Sequence, residues 1–139
     1  MTMSEDSYPY TSGTTGDETT CVYDEAEGIT LVADYGQVAE DTDSIKARIE
    51  MGPVSVAVAA GNDVFRNYSS GIVTEADGCP TAIDHAIQAV GWGYEGDQGY
   101  YIVRNSWNTT WGDQGYIKLG MAEGAGVCGV NQDVYWNAV

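Results

Sequence analysis

Positive charge is scarce in these 139 residues: five Lys and Arg stand against 21 Asp and Glu, for a formal net charge of −16. A surface of that sign repels phosphate backbones and anionic headgroups, which excludes nucleic acid and membrane surfaces as partners. The acids are dispersed, with their densest groups at Asp17-Glu18, Asp24-Glu25-Ala26-Glu27 and Glu40-Asp41-Thr42-Asp43, and they read as a solvated acidic face. Long apolar runs are missing too. None approaches the ~18 residues needed to span a bilayer, so a soluble chain is expected. The acidic start, Met1-Thr2-Met3-Ser4-Glu5-Asp6, lacks the apolar core of a signal peptide, which places any secretory address off this chain. Repeats, low-complexity tracts and interdomain linkers are absent. With 43% apolar residues over this length, one domain spanning residues 1–139 is expected, with a core of its own.

Cysteine and histidine are equally sparse. Cys21, Cys79 and Cys128 make an odd count, so one thiol is free or bridged to something outside the chain. No Cys-x-x-Cys pair occurs, and a zinc site built from three distant cysteines and the single histidine is a poorer reading than a disulfide. The glycine clusters Gly91-x-Gly93 and Gly124-x-Gly126 lack the strand-turn-helix setting of a phosphate loop.

What the chain does contain is strand. Residues 1–28 read as irregular, with Tyr8-Pro9-Tyr10 as their aromatic anchor. An edge strand is expected over 29–37. N-cap chemistry at Asp41-Thr42-Asp43-Ser44, apolar Ile45, Ala47, Ile49 and Met51, and a Gly52-Pro53 stop predict a short helix over about 43–51. Further strands are expected at 53–59, 71–73, 85–92, 99–104, 115–120 and 134–136, with one helical turn over 62–68 and a loop over 94–98 that joins a hairpin. The fold class is therefore α+β, mainly β: an antiparallel sheet curled on itself into a partly closed barrel, with one or two short helices.

The richest stretch is 100–116, Tyr-Tyr-Ile-Val-Arg-Asn-Ser-Trp-Asn-Thr-Thr-Trp-Gly-Asp-Gln-Gly-Tyr. A strand here delivers Asn105-Ser106-Trp107 to a loop mouth, and the only histidine, His85, heads another apolar run. Singly, His85 is an ordinary strand-end residue, Asn105 a turn former and Trp107 a core residue. Together they make a site: an amide oxygen accepting from one imidazole nitrogen fixes ring and tautomer, leaving the other to take a proton from a nucleophile. A neighbouring indole keeps water from that bond.

These residues sit among others in a telling order. Tyr8-Pro9-Tyr10, Gly52-Pro53-Val54-Ser55-Val56, Asp84-His85-Ala86, Gly91-Trp92-Gly93, Asn105-Ser106-Trp107 with Trp111-Gly112-x-x-Gly115-Tyr116, and Gly126-Val127-Cys128-Gly129-Val130 resemble the papain-like cysteine peptidases of cathepsin L or papain type. The likeness covers about 8–139 and implies the right-hand β-barrel domain alone. The family's nucleophile lies in a Cys-Gly-Ser-Cys-Trp segment of a left-hand helical domain, and no cysteine here has that setting. The resemblance thus implies a chain that holds the base without its nucleophile and is inactive alone. Combined with a left-hand partner, it implies an endopeptidase working through a thioester, with no cofactor or metal.

The same resemblance assigns roles. His85 is the base, Asn105 orients it, Trp107 shields the contact and lines the leaving-group side of the cleft, and Asp84 gives modest support. Ala57 and Ala86 wall the pocket for the second residue before the cut, and Asp133 falls at its floor, favouring a basic side chain there in addition to bulky apolar ones. Cys79 is expected to pair with Cys128, a closure worth ~4 kcal/mol in the chain-entropy model. Cys21 takes the place of a cysteine that bridges to the left-hand domain; as a plain reading it is a free thiol. Partners are then that domain, peptide substrates and protein inhibitors, and the location lysosomal, vacuolar or secreted. An exposed apolar interface would make the lone chain associate. Asn108 and Thr110 replace frequent glycines of the family loop, so the loop path is expected to differ. Asn67-Tyr68-Ser69 and Asn108-Thr109-Thr110 are glycosylation sequons. Two other readings remain: a non-catalytic peptide- or protein-binding module of the same descent, and a relative with a serine nucleophile.

Overall fold

The computed structural model describes residues 3–29 and 32–138. Its backbone divides into two compact units, Met1–Tyr35 with Asn137–Val139, and Gly36–Trp136. The first holds a one-turn helix, α1 (Ser12–Thr15), and a 3-10 turn, Glu25–Glu27, that were not expected from sequence. In this unit the Tyr8 hydroxyl accepts from the Val22 N–H at 3.3 Å, and Cys21 is exposed and unbridged.

The described residues form a sheet of seven strands: β1 (Asp34–Gln37), β2 (Val54–Val58), β3 (Ile72–Val73), β4 (His85–Glu95), β5 (Gln98–Arg104), β6 (Tyr116–Gly120) and β7 (Val134–Ala138). Their order is β1-β7-β2-β4-β5-β6-β3, so the ends β1 and β3 are not neighbours and the barrel is only partly closed. That is the mainly β architecture expected, with one exception: β3 runs parallel to β6, pairing Ile72 with Lys118 and Val73 with Leu119. Of the edge strand foreseen over 29–37, only Asp34–Gln37 forms, and Thr30 and Leu31 lie outside the described residues.

Helix α2 (Thr42–Ile49) starts where side-chain chemistry directs. Asp41 is its N-cap, the carboxylate accepting from the Ser44 N–H at 2.8 Å. Ser44, through its N–H first and its hydroxyl second, holds Asp41 below the usual carboxylate range. The cap is therefore present above the unfolded-state value and is lost as pH falls through the folded one. Ile45 and Ile49, one turn apart, join one buried cluster with Val54, Val56, Val58, Ile87, Tyr101, Val103, Ile117 and Leu119, alternate residues of β2, β4, β5 and β6.

Strand β4 continues past Gly91-Trp92-Gly93, where the sequence suggested an end. A register shift between Ala89 and Gly91 lets it pair with β5 out to Glu95 and Gln98, and Gly96 at φ +61° opens the two-residue turn. A Cβ on Gly93 would lie 2.8 Å from the Tyr100 hydroxyl, so the glycine there serves a close approach within a strand.

Helix α3 (Asp63–Arg66) is a single turn fixed by Asn62, whose Oδ1 accepts from the Phe65 N–H at 3.0 Å while its Nδ2 donates to the Ala59 carbonyl at 2.7 Å. Asn62→Ala removes a cap and a loop clamp together. It should cost about 1–2 kcal/mol, or about 3–7 °C in the thermal midpoint; a shift below about 1 °C would show that the backbone holds the turn unaided.

Candidate active site

Strand β4 begins with His85, opposite Val58 of β2, and β5 ends at Arg104, opposite Gln88 of β4. The first residue of one strand and the first residue beyond its neighbour thus meet at one end of the sheet. His85 Nε2 lies 2.9 Å from Asn105 Oδ1. The Ser106 N–H also donates to that oxygen, at 2.7 Å, and the Asn105 N–H donates to the Gly115 carbonyl at 2.9 Å.

This pattern sets the tautomer. A backbone N–H can only donate, so the amide atom facing Ser106 is the oxygen, and His85 Nε2 must carry the proton it shares with that oxygen. In the neutral ring Nδ1 is then a bare lone pair, and it has no hydrogen-bond partner among the described residues. Asn105 is 8% exposed, so the contact is removed from bulk water.

Aromatic rings hold the imidazole in place. Trp107 stacks on it with centroids 5.1 Å apart, and Phe65, wholly buried, meets His85 edge-on at 6.4 Å and Trp107 at 5.6 Å. Trp111 stacks on Phe65 at 5.2 Å and crosses Trp107 at 5.4 Å, its Nε1–H donating to the Arg66 carbonyl at 3.0 Å. Trp107 keeps 36% of its surface exposed, so it covers the imidazole from one side only. Phe65 and Asn62 were not singled out from sequence. The usable signal was the Asn62-x-x-Phe65 cap spacing ahead of the only phenylalanine in the chain.

Asp84 sits beside this cluster. Its Oδ1 accepts from the Ala60 N–H at 2.7 Å, its Oδ2 from the Gly61 N–H at 3.0 Å, and its own N–H donates to the Val58 carbonyl at 3.0 Å. It ties the loop after β2 to the residue preceding His85. A cavity of about 170 Å³ is lined by Ala60, Gly61, Arg66, Asp84, His85 and Trp107.

Ala57 and Ala86 pair across β2 and β4 on the face opposite the core, and the Ala57 N–H donates to the Asp133 carbonyl at 3.1 Å. These three expected pocket residues are therefore close in the fold. Cys79 and Cys128 are bridged, with Cα atoms 5.0 Å apart. Among the described residues no cluster of His, Cys, Asp and Glu could hold a metal, and no helix is long and apolar enough to cross a membrane.

Residues 1–138 match the model of the papain family cysteine proteases, and the chain belongs to that family. A probable cysteine protease of Arabidopsis thaliana, RD21C, is 41% identical over 91% of this chain and 28% of its own length. Digestive cysteine proteinase 1 of Homarus americanus is 34% identical over 97% of the chain and 41% of its own length. The bromelain protease of Ananas comosus, solved with the E64 inhibitor, superposes with TM-score 0.80 at 29% identity, covering 99% of this chain and 62% of that one. The Carica candamarcensis protease CMS1MS2, also with E-64, gives 0.79 at 34% identity over 98% and 61%. The chain thus spans less than half the length of these curated relatives and about three fifths of the solved ones.

Proposed function

We propose that this chain is the base-bearing, right-hand half of a papain-like cysteine endopeptidase and acts with a left-hand half that carries the nucleophilic cysteine. The observation that supports this most directly is the 2.9 Å contact of His85 Nε2 with Asn105 Oδ1, which leaves Nδ1 as the proton acceptor. In this reading Nδ1 takes the thiol proton, giving a thiolate beside an imidazolium. The thiolate attacks the peptide carbonyl carbon. As the tetrahedral intermediate collapses to a thioester, Nδ1–H protonates the leaving amine, and the bare Nδ1 then deprotonates the water that hydrolyses the thioester. Asn105 Oδ1 accepts from Nε2–H throughout, Trp107 limits ring rotation, and Asp84 acts through the loop it ties down.

The exposed sheet face supports a second half as partner. Tyr135, Ser55, Gln88, Arg104 and Tyr116 form one cross-strand row over β7, β2, β4, β5 and β6, all solvent-exposed. The row is polar with a tyrosine at each end, so docking there combines hydrogen bonds with aromatic burial. Cys21, exposed and unbridged, is available for a covalent link to the same partner. The disulfide fits an oxidising compartment, which agrees with a secreted, lysosomal or vacuolar location. Peptide substrates and protein inhibitors would share the cleft.

The test is to combine the chain with a Cys-bearing half and follow an internally quenched peptide. Cleavage should appear on combination, vanish when that cysteine is alanine, and be absent from the chain alone; hydrolysis by the chain alone would overturn the reading. Asp133 gives a finer check. Its carboxylate should favour an Arg-Arg over a Phe-Arg reporter, and Asp133→Ala should lower that ratio about fivefold, the worth of ~1 kcal/mol for a partly exposed ion pair. An unchanged ratio would remove Asp133 from the pocket.

A further inference from the structure

Each of the five cations has a definable environment. Lys46 pairs with Asp43 at 2.9 Å and Lys118 with Glu95 at 2.5 Å. Arg48 lies over the Trp136 ring, 4.2 Å from its centroid. Arg104 belongs to the cross-strand row on the open sheet face. Arg66, the last residue of α3, is exposed and makes no ion pair among the described residues, although the chain carries 21 acids. Its carbonyl is anchored by Trp111, which fixes the backbone from which the side chain extends, and it lines the same cavity as His85 and Trp107. The one carboxylate in that cavity, Asp84, is taken up by the Ala60 and Gly61 N–H groups, so it does not neutralise the guanidinium by direct pairing.

We propose that Arg66 is a specificity-determining residue that selects a substrate carboxylate on the leaving-group side of the scissile bond. This rests on the peptidase reading above. The Ala57, Ala86 and Asp133 group lies on the opposite face of β2 and β4 and would take residues before the cut; the cavity shared by His85, Trp107 and Arg66 would take those after it. A guanidinium with an unoccupied fork binds a carboxylate through two parallel N–H bonds. The field of a chain with net charge −16 opposes acidic substrates at long range. Preference for an acid at this place therefore has to come from a local cation, and Arg66 is the cation in the cavity. The carboxylate is either an Asp or Glu side chain one or two residues after the cut or a free C-terminus, and both offer the same two oxygens.

The experiment uses the chain combined with its Cys-bearing half and quenched peptides that are identical except for Glu or Gln at the first and second positions after the cut. A second pair ends two residues after the cut in a free acid or an amide. The expected result is a Glu-to-Gln ratio in kcat/KM of about threefold to tenfold at low ionic strength, shrinking as salt rises. Arg66→Gln should bring the ratio to one, Arg66→Glu should invert it, and Arg66→Lys should keep part of it, since a point charge lacks the fork. If the acid-to-amide ratio alone exceeds one, the recognised group is the terminal carboxylate. Equal ratios in wild type and Arg66→Gln would overturn the inference while leaving peptide cleavage intact. Absence of any His85-dependent cleavage would instead overturn the peptidase reading and this inference with it.

Discussion

His85→Ala, made in the chain combined with its Cys-bearing half, should lower kcat at least about 10³-fold while KM changes by less than about threefold. In the proposed reaction two steps need this side chain. The thiol must give up its proton to become nucleophilic, and the leaving amine must receive one as the intermediate collapses. A single imidazole nitrogen does both, because Nε2 is committed to Asn105 Oδ1 and Nδ1 alone is bare. No second base stands ready: the Asp84 oxygens are occupied by two backbone N–H groups, and His85 is the only histidine of the chain. The expected loss falls on kcat because the proposed reaction gives His85 both proton transfers, whereas the pocket before the cut is assigned to other residues. Asn105→Ala should be milder, about 10–10²-fold, because the ring keeps its Trp107 and Phe65 contacts and loses only the acceptor that selects its tautomer. Activity of His85→Ala within tenfold of wild type would mean that His85 is not the base.

The parts of the site legible in the sequence are those where chemistry is local. Asp41 caps a helix through the next few residues, and Asn105 follows a strand whose alternation is plain. The parts that were not legible depend on residues distant in sequence. Gly91 and Gly93 looked like the end of a strand, yet the strand runs on, and at Gly93 it is Tyr100 of β5 that comes too close for a Cβ. The parallel direction of the β3 pairing could not be read because its partner β6 arrives some 45 residues later, and no local pattern encodes direction across such a gap. Arg66 was invisible for the same reason: its place beside His85 depends on Asn62 turning α3 under the aromatic cluster. Cys128 adopts φ +54° in a buried turn, a conformation that β-propensity and turn statistics reserve mostly for Gly and Asn.

That turn makes the disulfide the other large effect. Replacing both Cys79 and Cys128 by alanine should cost about 4 kcal/mol, because the bridge closes a loop with a sequence separation of 49 whose freedom in the unfolded chain is restored without it. Against a total of roughly 5–15 kcal/mol for a domain, the loss is severe. The native state suffers in a definite place. The Cys128 carbonyl accepts from the Ala59 N–H at 2.8 Å, and Ala59 in turn holds Asn62, whose neighbours Ala60 and Gly61 hold Asp84. Gln132 Nε2–H also donates to the Thr81 carbonyl at 2.6 Å, a tie between the segments carrying Cys128 and Cys79 that is exposed to solvent. Loosening should therefore spread from residues 127–132 to 59–62 and reach His85 before it reaches the β5–β6 core. Denaturant midpoints of the wild type and the double variant measure the size of the effect, and amide exchange measures its location. A loss below about 1 kcal/mol, or faster exchange spread evenly over the sheet, would show that the bridge is not what holds the loop behind the histidine.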